Sequence, residues 1–453
     1  MMEYLIRFSQ SHETFRLAEI QSLAIVEGID LEVISYSNES PFCIVRLPSE
    51  EAAKALIRRS ILAQTIHEHW GTAETYDELH AIIKRDTPHL WPQYKEVSFK
   101  INIDAYQGSR PEKRKLELIN SFSYLPLDGL ILLKNPEQKW TIFEQWEFEA
   151  VPKNLPDPLK IHFGRLVGHS VRDLIKTYDL KKRGYISTTS MDSELALITA
   201  NIALAAPGKI FYDPFVGTGS FPIACAHFGA LGWGSDIDGR SVRGEGGKKS
   251  LKGNFKQYGL EQLLGDVFVC DLTNSPVRKA RILDGIVCDP PYGVREGLKV
   301  LGCRDPEDKD AWLVEKGKRN YRNASFVPPK KPYSFTAMLD DILNFAADTL
   351  VDNGRLSFWM PTANDEEQEI PVPTHPCLNL VVVCTQVFYK WSRRLITYRR
   401  LPDSEVDLSA LAQRKREEQI KGHTADDLNS FRRAYFKGFK SEKTEATSDI
   451  KAE

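Results

Sequence analysis

The chain carries seven cysteines in 453 residues, and none of them forms a Cys-x-x-Cys pair. Cys43, Cys225, Cys270, Cys288, Cys303, Cys377 and Cys384 are scattered, several inside strand-like runs. That spacing argues against an internal zinc site and against a disulfide frame. No segment approaches the roughly 18 consecutive apolar residues that a membrane span requires. The opening Met1-Met2-Glu3-Tyr4 lacks the basic and apolar regions of a signal peptide. The expected location is therefore the cytoplasm, with reduced thiols. Charge of one sign is also missing: the net value is −2, so composition announces no nucleic-acid partner. Basic patches are only local, at Lys181-Lys182-Arg183, Lys316 to Arg322, and Arg393-Arg394 with Arg399-Arg400. Gathered on one side they could follow a phosphate backbone. What is present is ample apolar content, 42%, enough for the two or three domains expected of this length.

The most informative stretch is Asp289-Pro290-Pro291-Tyr292. It follows Ile282 to Cys288, whose bulky apolar content reads as a buried strand. Two prolines fix φ and remove two backbone donors, so the turn is rigid and its carbonyls are left to accept. A carboxylate, rigid carbonyls and a ring together make a pocket for an exocyclic amine on a flat heterocycle. Upstream, Lys209 to Asp213 reads as a strand, and Pro214-Phe215-Val216-Gly217-Thr218-Gly219-Ser220 as a glycine turn opening a helix. Gly217 and Gly219 allow a tight turn and a close backbone approach to a ligand. The third glycine of a dinucleotide fingerprint is absent, with Phe221-Pro222 in its place, and Asp213 ahead of the turn suits a cation better than a pyrophosphate. Further strands end at Asp236, roughly 20 residues past the glycines where an acid reaches ribose hydroxyls, and at Asp271.

Together, Asp213 to Ser220 and Asp289-Pro290-Pro291-Tyr292 resemble the S-adenosylmethionine-dependent amino-methyltransferases. More narrowly, Tyr185 to Leu195, Asp236-Ile237-Asp238-Gly239-Arg240 and Asp289 to Glu296 are similar to the tRNA guanine-10 N2-methyltransferases. The likeness is good from about Phe163 to Arg400 and vaguer before that. It implies a Rossmann-like, seven-stranded α/β methyltransferase domain preceded by an α+β ferredoxin-like and THUMP region. It implies methylation of the 2-amino group of guanine 10 in tRNA, with S-adenosylmethionine as cofactor. It also implies a small zinc-binding activator protein as partner. Asp213, Phe215, Gly217 and Gly219 would hold the methionine part, Asp236 the ribose and Asp271 the adenine amine. Asp289, Pro290 and Tyr292 would be catalytic, and Lys181, Lys182, Arg183 and Arg295 are candidate RNA contacts. No metal is expected.

Periodicity orders the rest. Tyr4 to Phe8 reads as a strand, His12 to Val26 as a helix closed by Gly28, then two strands, then a long helix from Ser49 to His69 closed by Gly71. That order suggests a ferredoxin-like layer over residues 1–75. Alternation from Val97 to Ile103 predicts a half-buried strand, with further strands at Leu130 to Leu133 and Trp140 to Trp146. By the resemblance, residues 76–160 are THUMP-like, and Val151 to Pro158 reads as a linker. The catalytic domain spans 161–401, opening on a helix capped by Ser190 or Asp192. A polar, basic stretch follows Tyr292 up to Lys331-Pro332. Residues 402–453 read as a charged, partly disordered tail. The strand around Val267 to Val269 should be a sheet edge, the kind of surface that pairs with a partner strand.

A guanine amino nitrogen is a poor nucleophile, so Asp289 and the Pro290 carbonyl would accept its hydrogens and aim its lone pair. A carboxylate at its usual pKa of ~4 is a weak base, which makes orientation the larger role expected of Asp289. Two other classes use such residues: a DNA or protein amino-methyltransferase with the same pocket, and a non-catalytic RNA-binding scaffold. Adenine and glutamine enzymes favour Asn where Asp289 stands, and the intact Asp213, Gly217, Gly219 and Asp289 argue for a working site.

Overall fold

The computed structural model describes residues 2–245, 249–295, 297–302, 314–315, 318–319, 328–364, 369–416 and 424–437. Most of the basic stretch between Cys303 and Val327 therefore lies outside the described residues. The chain divides into two compact units, Met1–Leu174 and Ile175–Glu453.

The first unit runs β1 (Met2–Phe8), α1 (Glu13–Glu27), β2 (Glu32–Tyr36), β3 (Phe42–Leu47), α2 (Glu50–Ile57), β4 (Ala63–Ala73), α3 (Tyr76–Asp86), β5 (Phe99–Tyr106), α4 (Glu112–Asn120), β6 (Gln138–Gln145) and β7 (Lys160–His169). All seven strands share one sheet in the order β2-β3-β1-β4-β7-β6-β5. Gly28 closes α1 in a left-handed conformation, its N–H reaching the Ala24 and Ile25 carbonyls. The long helix expected from Ser49 to His69 is corrected: α2 stops at Ile57 and the chain continues as β4. The Glu19 carboxylate, buried on α1, accepts from the Ser60 hydroxyl and from the Ile61 and Leu62 amides at 2.8, 2.9 and 2.9 Å. Those amides would have continued a helix. Thr65, Ile66, Trp70 and Thr72 then suit a strand that fills the open side of β1. The strand expected at Leu130 to Leu133 is reduced to a single bridge between Phe99 and Ile131. Trp70, Trp140, Phe122 and Phe163 anchor the core of this half of the sheet.

The second unit contains α5 (Ser193–Ile202), β8 (Ile210–Asp213), α6 (Ser220–His227), β9 (Leu231–Asp236), α7 (Leu251–Gln257), β10 (Leu264–Val269), β11 (Leu283–Cys288), α8 (Phe335–Thr349), β12 (Leu350–Ala363), β13 (Leu378–Val387), β14 (Trp391–Arg400) and α9 (Ser430–Lys437). Its sheet is also seven-stranded, in the order β10-β9-β8-β11-β12-β14-β13. The strands from β10 to β12 are parallel, and β14 runs antiparallel to both β12 and β13. This is the Rossmann-like α/β arrangement expected. Strand order reverses between β8 and β11, which opens a crevice at their carboxyl ends. β10 is the edge strand, as anticipated, with Val269 half exposed. The segment 424–437, read from sequence as loose tail, is instead packed: Leu428 and Phe431 are buried, and Phe335 donates its amide to the Leu428 carbonyl. Its few apolar residues fall together, which a charged average conceals. Among the described residues no helix is long and apolar enough to cross a membrane.

Candidate active site

Adjacent strands β9, β8 and β11 end at Asp236, Asp213 and just before Asp289, and Asp271 follows β10 by two residues. The acids of the sequence motifs thus line one edge of the sheet. The glycine turn is held on them. Asp213 accepts the Phe215 amide at 2.9 Å, Asp236 accepts the Gly217 amide at 2.9 Å, and the Val216 amide donates to the Ser235 carbonyl at 2.8 Å. Gly217 and Gly219 have φ of +48° and +87°, the left-handed region where side chains are strained. A Cβ at Gly219 would sit 3.0 Å from Leu251. Burial, with repulsion from Asp236 and Asp289, pushes the Asp213 carboxyl well above the usual range. Asp236 is also raised by burial, although the Asp238 and Gly217 amides offset part of the shift.

The Tyr185 to Leu195 signature braces this turn. Asn254, fully buried, donates to the Tyr185 carbonyl at 2.7 Å and the Thr218 carbonyl at 3.1 Å, and accepts the Tyr185 amide at 3.0 Å. Ser190 and Thr218 share a hydroxyl bond of 2.7 Å, and Asp192, one of the two caps considered, caps α5 through the Leu195 amide. Asn254 was not singled out from the sequence, since a lone Asn carries no signal there.

Beside the turn lies a cleft lined by Pro214, Phe215, Ile237, Asp271, Leu272 and Pro291. Its mostly apolar walls, with Asp271 as the one acid and Lys299 as the one cation, suit a flat heterocycle carrying an amine. Asp271 is already engaged by the Thr273 and Leu301 amides at 2.9 and 2.8 Å. Ile237 and Leu272 were not anticipated, although each directly follows a strand-end acid.

Asp289 and Tyr292 are half-buried, and among the described residues Asp289 Oδ1 and Tyr292 Oη are shut from solvent without a hydrogen bond of full geometry, although the Tyr292 hydroxyl stands close enough to the carboxylate to act on it. Burial raises the Asp289 carboxyl to about 6, against the lowering influence of Tyr292 and Arg393. The expectation of an ordinary pKa near ~4 is thereby corrected, because the turn removes the carboxylate from water. The Tyr292 phenol is likewise raised by burial and by Asp289. An unpartnered buried carboxylate oxygen costs free energy, and it is the feature expected where an amine is to be received. The cradle fits the cofactor implied by the sequence: two left-handed glycines, acids at the strand ends that hold the turn, and a mostly apolar cleft beside it.

Comparison with known proteins agrees with this geometry. Residues 2–172 match the family described as Tmrp11 THUMP N-terminal domain, and residues 181–300 match the RMKL-like methyltransferase domain. A Saccharomyces cerevisiae tRNA (guanine(10)-N(2))-methyltransferase is 44% identical over 406 residues, covering 88% of this chain and 93% of that one. The Schizosaccharomyces pombe and Homo sapiens enzymes of that name, the latter TRMT11, are each 36% identical, covering 96% of this chain and 96% and 95% of theirs. The chain belongs to the tRNA (guanine(10)-N(2))-methyltransferase family. It is a methyltransferase with an N-terminal THUMP region.

Within this family member the four basic candidates separate. Lys181 and Lys182 are exposed. Arg183 is buried, donates to the Ser220 hydroxyl at 2.9 Å and lies over the Tyr258 ring, so it is withdrawn from the candidate RNA contacts. Arg295 is exposed and donates to Thr188 at 2.5 Å, joining the loop after Tyr292 to the signature. Arg393 is a residue the sequence placed only in a basic patch. It lies over Trp359 at 4.9 Å and is the cation that acts on Asp289.

Proposed function

We propose that this chain methylates the exocyclic 2-amino group of guanine 10 in tRNA, using S-adenosylmethionine. The observation that carries the reading is the buried, unpartnered Asp289 Oδ1 beside Tyr292, on the crevice that the glycine turn borders. Bound along that turn, the cofactor supplies an electrophilic methyl group on a sulfonium. Asp213 and the Gly217 and Gly219 backbone hold its methionine part, Asp236 the ribose, and Asp271 with Ile237 and Leu272 the adenine. Asp289 and the Pro290 carbonyl accept the two amino hydrogens of the guanine, which localises the nitrogen lone pair and aims it. Catalysis is then largely positioning and preorganised electrostatics. The nitrogen would gain the methyl carbon as the carbon–sulfur bond breaks to leave a neutral thioether, and it must lose a proton. With a pKa near 6, Asp289 is a more capable acceptor of that proton than an ordinary carboxylate. Tyr292 packs on the base, a contact of roughly 1–3 kcal/mol.

A paired guanine must leave its stack at a cost of a few kcal/mol, and RNA contacts of the THUMP region supply compensating binding energy. A small zinc-binding activator is the partner, pairing with edge strand β10, whose outer side carries no neighbour in the sheet among the described residues. The enzyme acts in the cytoplasm. The test is transfer from labelled S-adenosylmethionine to unmodified tRNA, with and without the activator, followed by nucleoside analysis. N2-methylguanosine that disappears when guanine 10 is changed is the expected result. Cofactor binding without transfer to tRNA under either condition would overturn the substrate assignment.

A further inference from the structure

Hairpin tips exposed to water are ordinarily built of Gly, Asn, Asp, Pro and Ser. The tip joining β13 to β14 reads Val387-Phe388-Tyr389-Lys390-Trp391. Tyr389 is 94% exposed and Val387 70%. Phe388 stacks on Trp391 with centroids 4.5 Å apart and planes 27° apart, and Trp391 meets the catalytic-motif ring Tyr292 edge-on at 6.4 Å. On its other side Trp391 meets Phe431 at 5.9 Å and Tyr435 at 6.4 Å, both on α9. Phe436, 59% exposed, lies against Tyr435. A continuous run of rings therefore leads from Tyr292 outward to solvent.

Helix α9 is also fastened to the catalytic loop. Asn429 donates to the Tyr292 carbonyl at 2.9 Å, and Arg432 to the Gly293 carbonyl at 2.6 Å. Exposed Lys390, Arg433 and Lys437 fall within 387–391 and 430–437, stretches that contain no acid, while Arg432 is paired with Asp426 just outside them. Arg393 lies over the Phe388 ring at 5.8 Å. Exposed rings mixed with cations are what single-stranded nucleic acid binds, since every base offers a face to stack and every phosphate a charge to neutralise. A protein partner is the less suitable occupant, because lysines are depleted from protein–protein interfaces, whereas Lys390 and Lys437 adjoin the exposed Tyr389 and Phe436 in sequence.

We propose that the β13–β14 tip and α9 form a stacking platform that takes unpaired nucleotides of the tRNA substrate next to the base held at Asp289. This rests on the proposed function, and it assigns RNA contacts within the methyltransferase unit itself. The test uses the full chain with Tyr389→Ala/Phe436→Ala and Lys390→Ala/Arg433→Ala, all exposed positions, alongside the controls Tyr389→Phe and Phe436→Tyr. Direct tRNA binding is read by filter retention, and methyl transfer at saturating and limiting tRNA.

The aromatic pair should weaken tRNA binding and raise the KM for tRNA about tenfold or more. Cofactor affinity and kcat should stay at the parent value, and the ring-preserving controls should behave as parent. The cationic pair should lower the slope of log affinity against log salt by roughly 1.5. tRNA affinity and KM unchanged within twofold in both double variants would overturn the platform. So would variants that lose binding of a protein partner but not of tRNA. If the parent fails to methylate guanine 10, the filter assay still decides the platform on its own, so the two failures are separable.

Discussion

Replacing Asp289 by Asn should abolish methyl transfer and at the same time stabilise the protein at neutral pH. Burial lifts the Asp289 carboxyl from 3.8 to about 6. A folded-state pKa above the unfolded value means that the folded state binds the proton more tightly. The associated stability is fully present below the unfolded value near 4 and is lost as pH rises through about 6. Above that, the ionised carboxylate is a burden on the fold. At about 1.4 kcal/mol per unit the shift corresponds to at most about 3 kcal/mol, and about 2 kcal/mol once screening at a half-buried residue is allowed for. Asn keeps the shape and does not ionise, so Asp289→Asn should gain that amount at pH 7.5, raising Tm by roughly 4–8 °C for a unit of this size. The assay is urea and thermal unfolding of parent and variant at pH 7.5 and pH 4, beside single-turnover transfer. No gain at pH 7.5, or an equal gain at pH 4, would refute the reasoning. Residual transfer above a thousandth of the parent rate would separately remove Asp289 from the chemistry.

Further outcomes follow from the same geometry. Gly219→Ala forces a side chain into φ of +87° with Leu251 3.0 Å away; it should cost about 1–2 kcal/mol and weaken cofactor binding by calorimetry while leaving tRNA affinity intact. Asn254→Ala removes three hydrogen bonds that tie the signature to the glycine turn; it should destabilise by about 3 kcal/mol, read by urea unfolding, and should lower cofactor affinity as well. Arg183→Ala should destabilise without changing the salt dependence of tRNA binding, because its guanidinium is buried on Ser220. Removal of exposed Lys181 and Lys182 together should reduce that slope by roughly 1.5, measured by filter retention across a salt series.

The strand-end acids, the glycine turn and the rigid Asp289-Pro290-Pro291-Tyr292 turn were legible because each depends on residues adjacent in sequence. The parallel order around β8 and β11 follows from the same local patterns. What escaped depends on contacts distant in sequence. The end of α2 is imposed by Glu19, whose carboxylate lies 41 positions before Ser60. The packing of α9 against the Asp289-Pro290-Pro291-Tyr292 turn joins Asn429 to Tyr292 across 137 positions. The elevated Asp289 carboxyl is a property of the enclosure around it, and the withdrawal of Arg183 from solvent depends on Ser220 and Tyr258 being placed there by other elements. None of these leaves a periodic trace.

The buried acids also bear on the order of binding under the proposed function. Asp213 is raised well above the carboxylate range, in part by repulsion from Asp236 and Asp289, and Asp289 itself stands at about 6. Such a crevice favours a ligand that brings positive charge, which lowers both carboxyls and is bound more tightly as they ionise. S-adenosylmethionine carries a sulfonium and its product S-adenosylhomocysteine does not; the two share their remaining charged groups. With Asp289 near 6, about a tenth is ionised at pH 5 and about nine-tenths at pH 7. The ratio of donor affinity to product affinity should therefore rise with pH between 5 and 7, by up to about tenfold. Calorimetric titration of both ligands at the two pH values measures that ratio directly. In Asp289→Asn the rise should shrink to what Asp213 alone supplies. A ratio that stays flat in the parent would show that the acids do not face the sulfonium. The pressure on Asp289 would then belong to the guanine amine alone, and neutral product would leave no more readily than the charged donor.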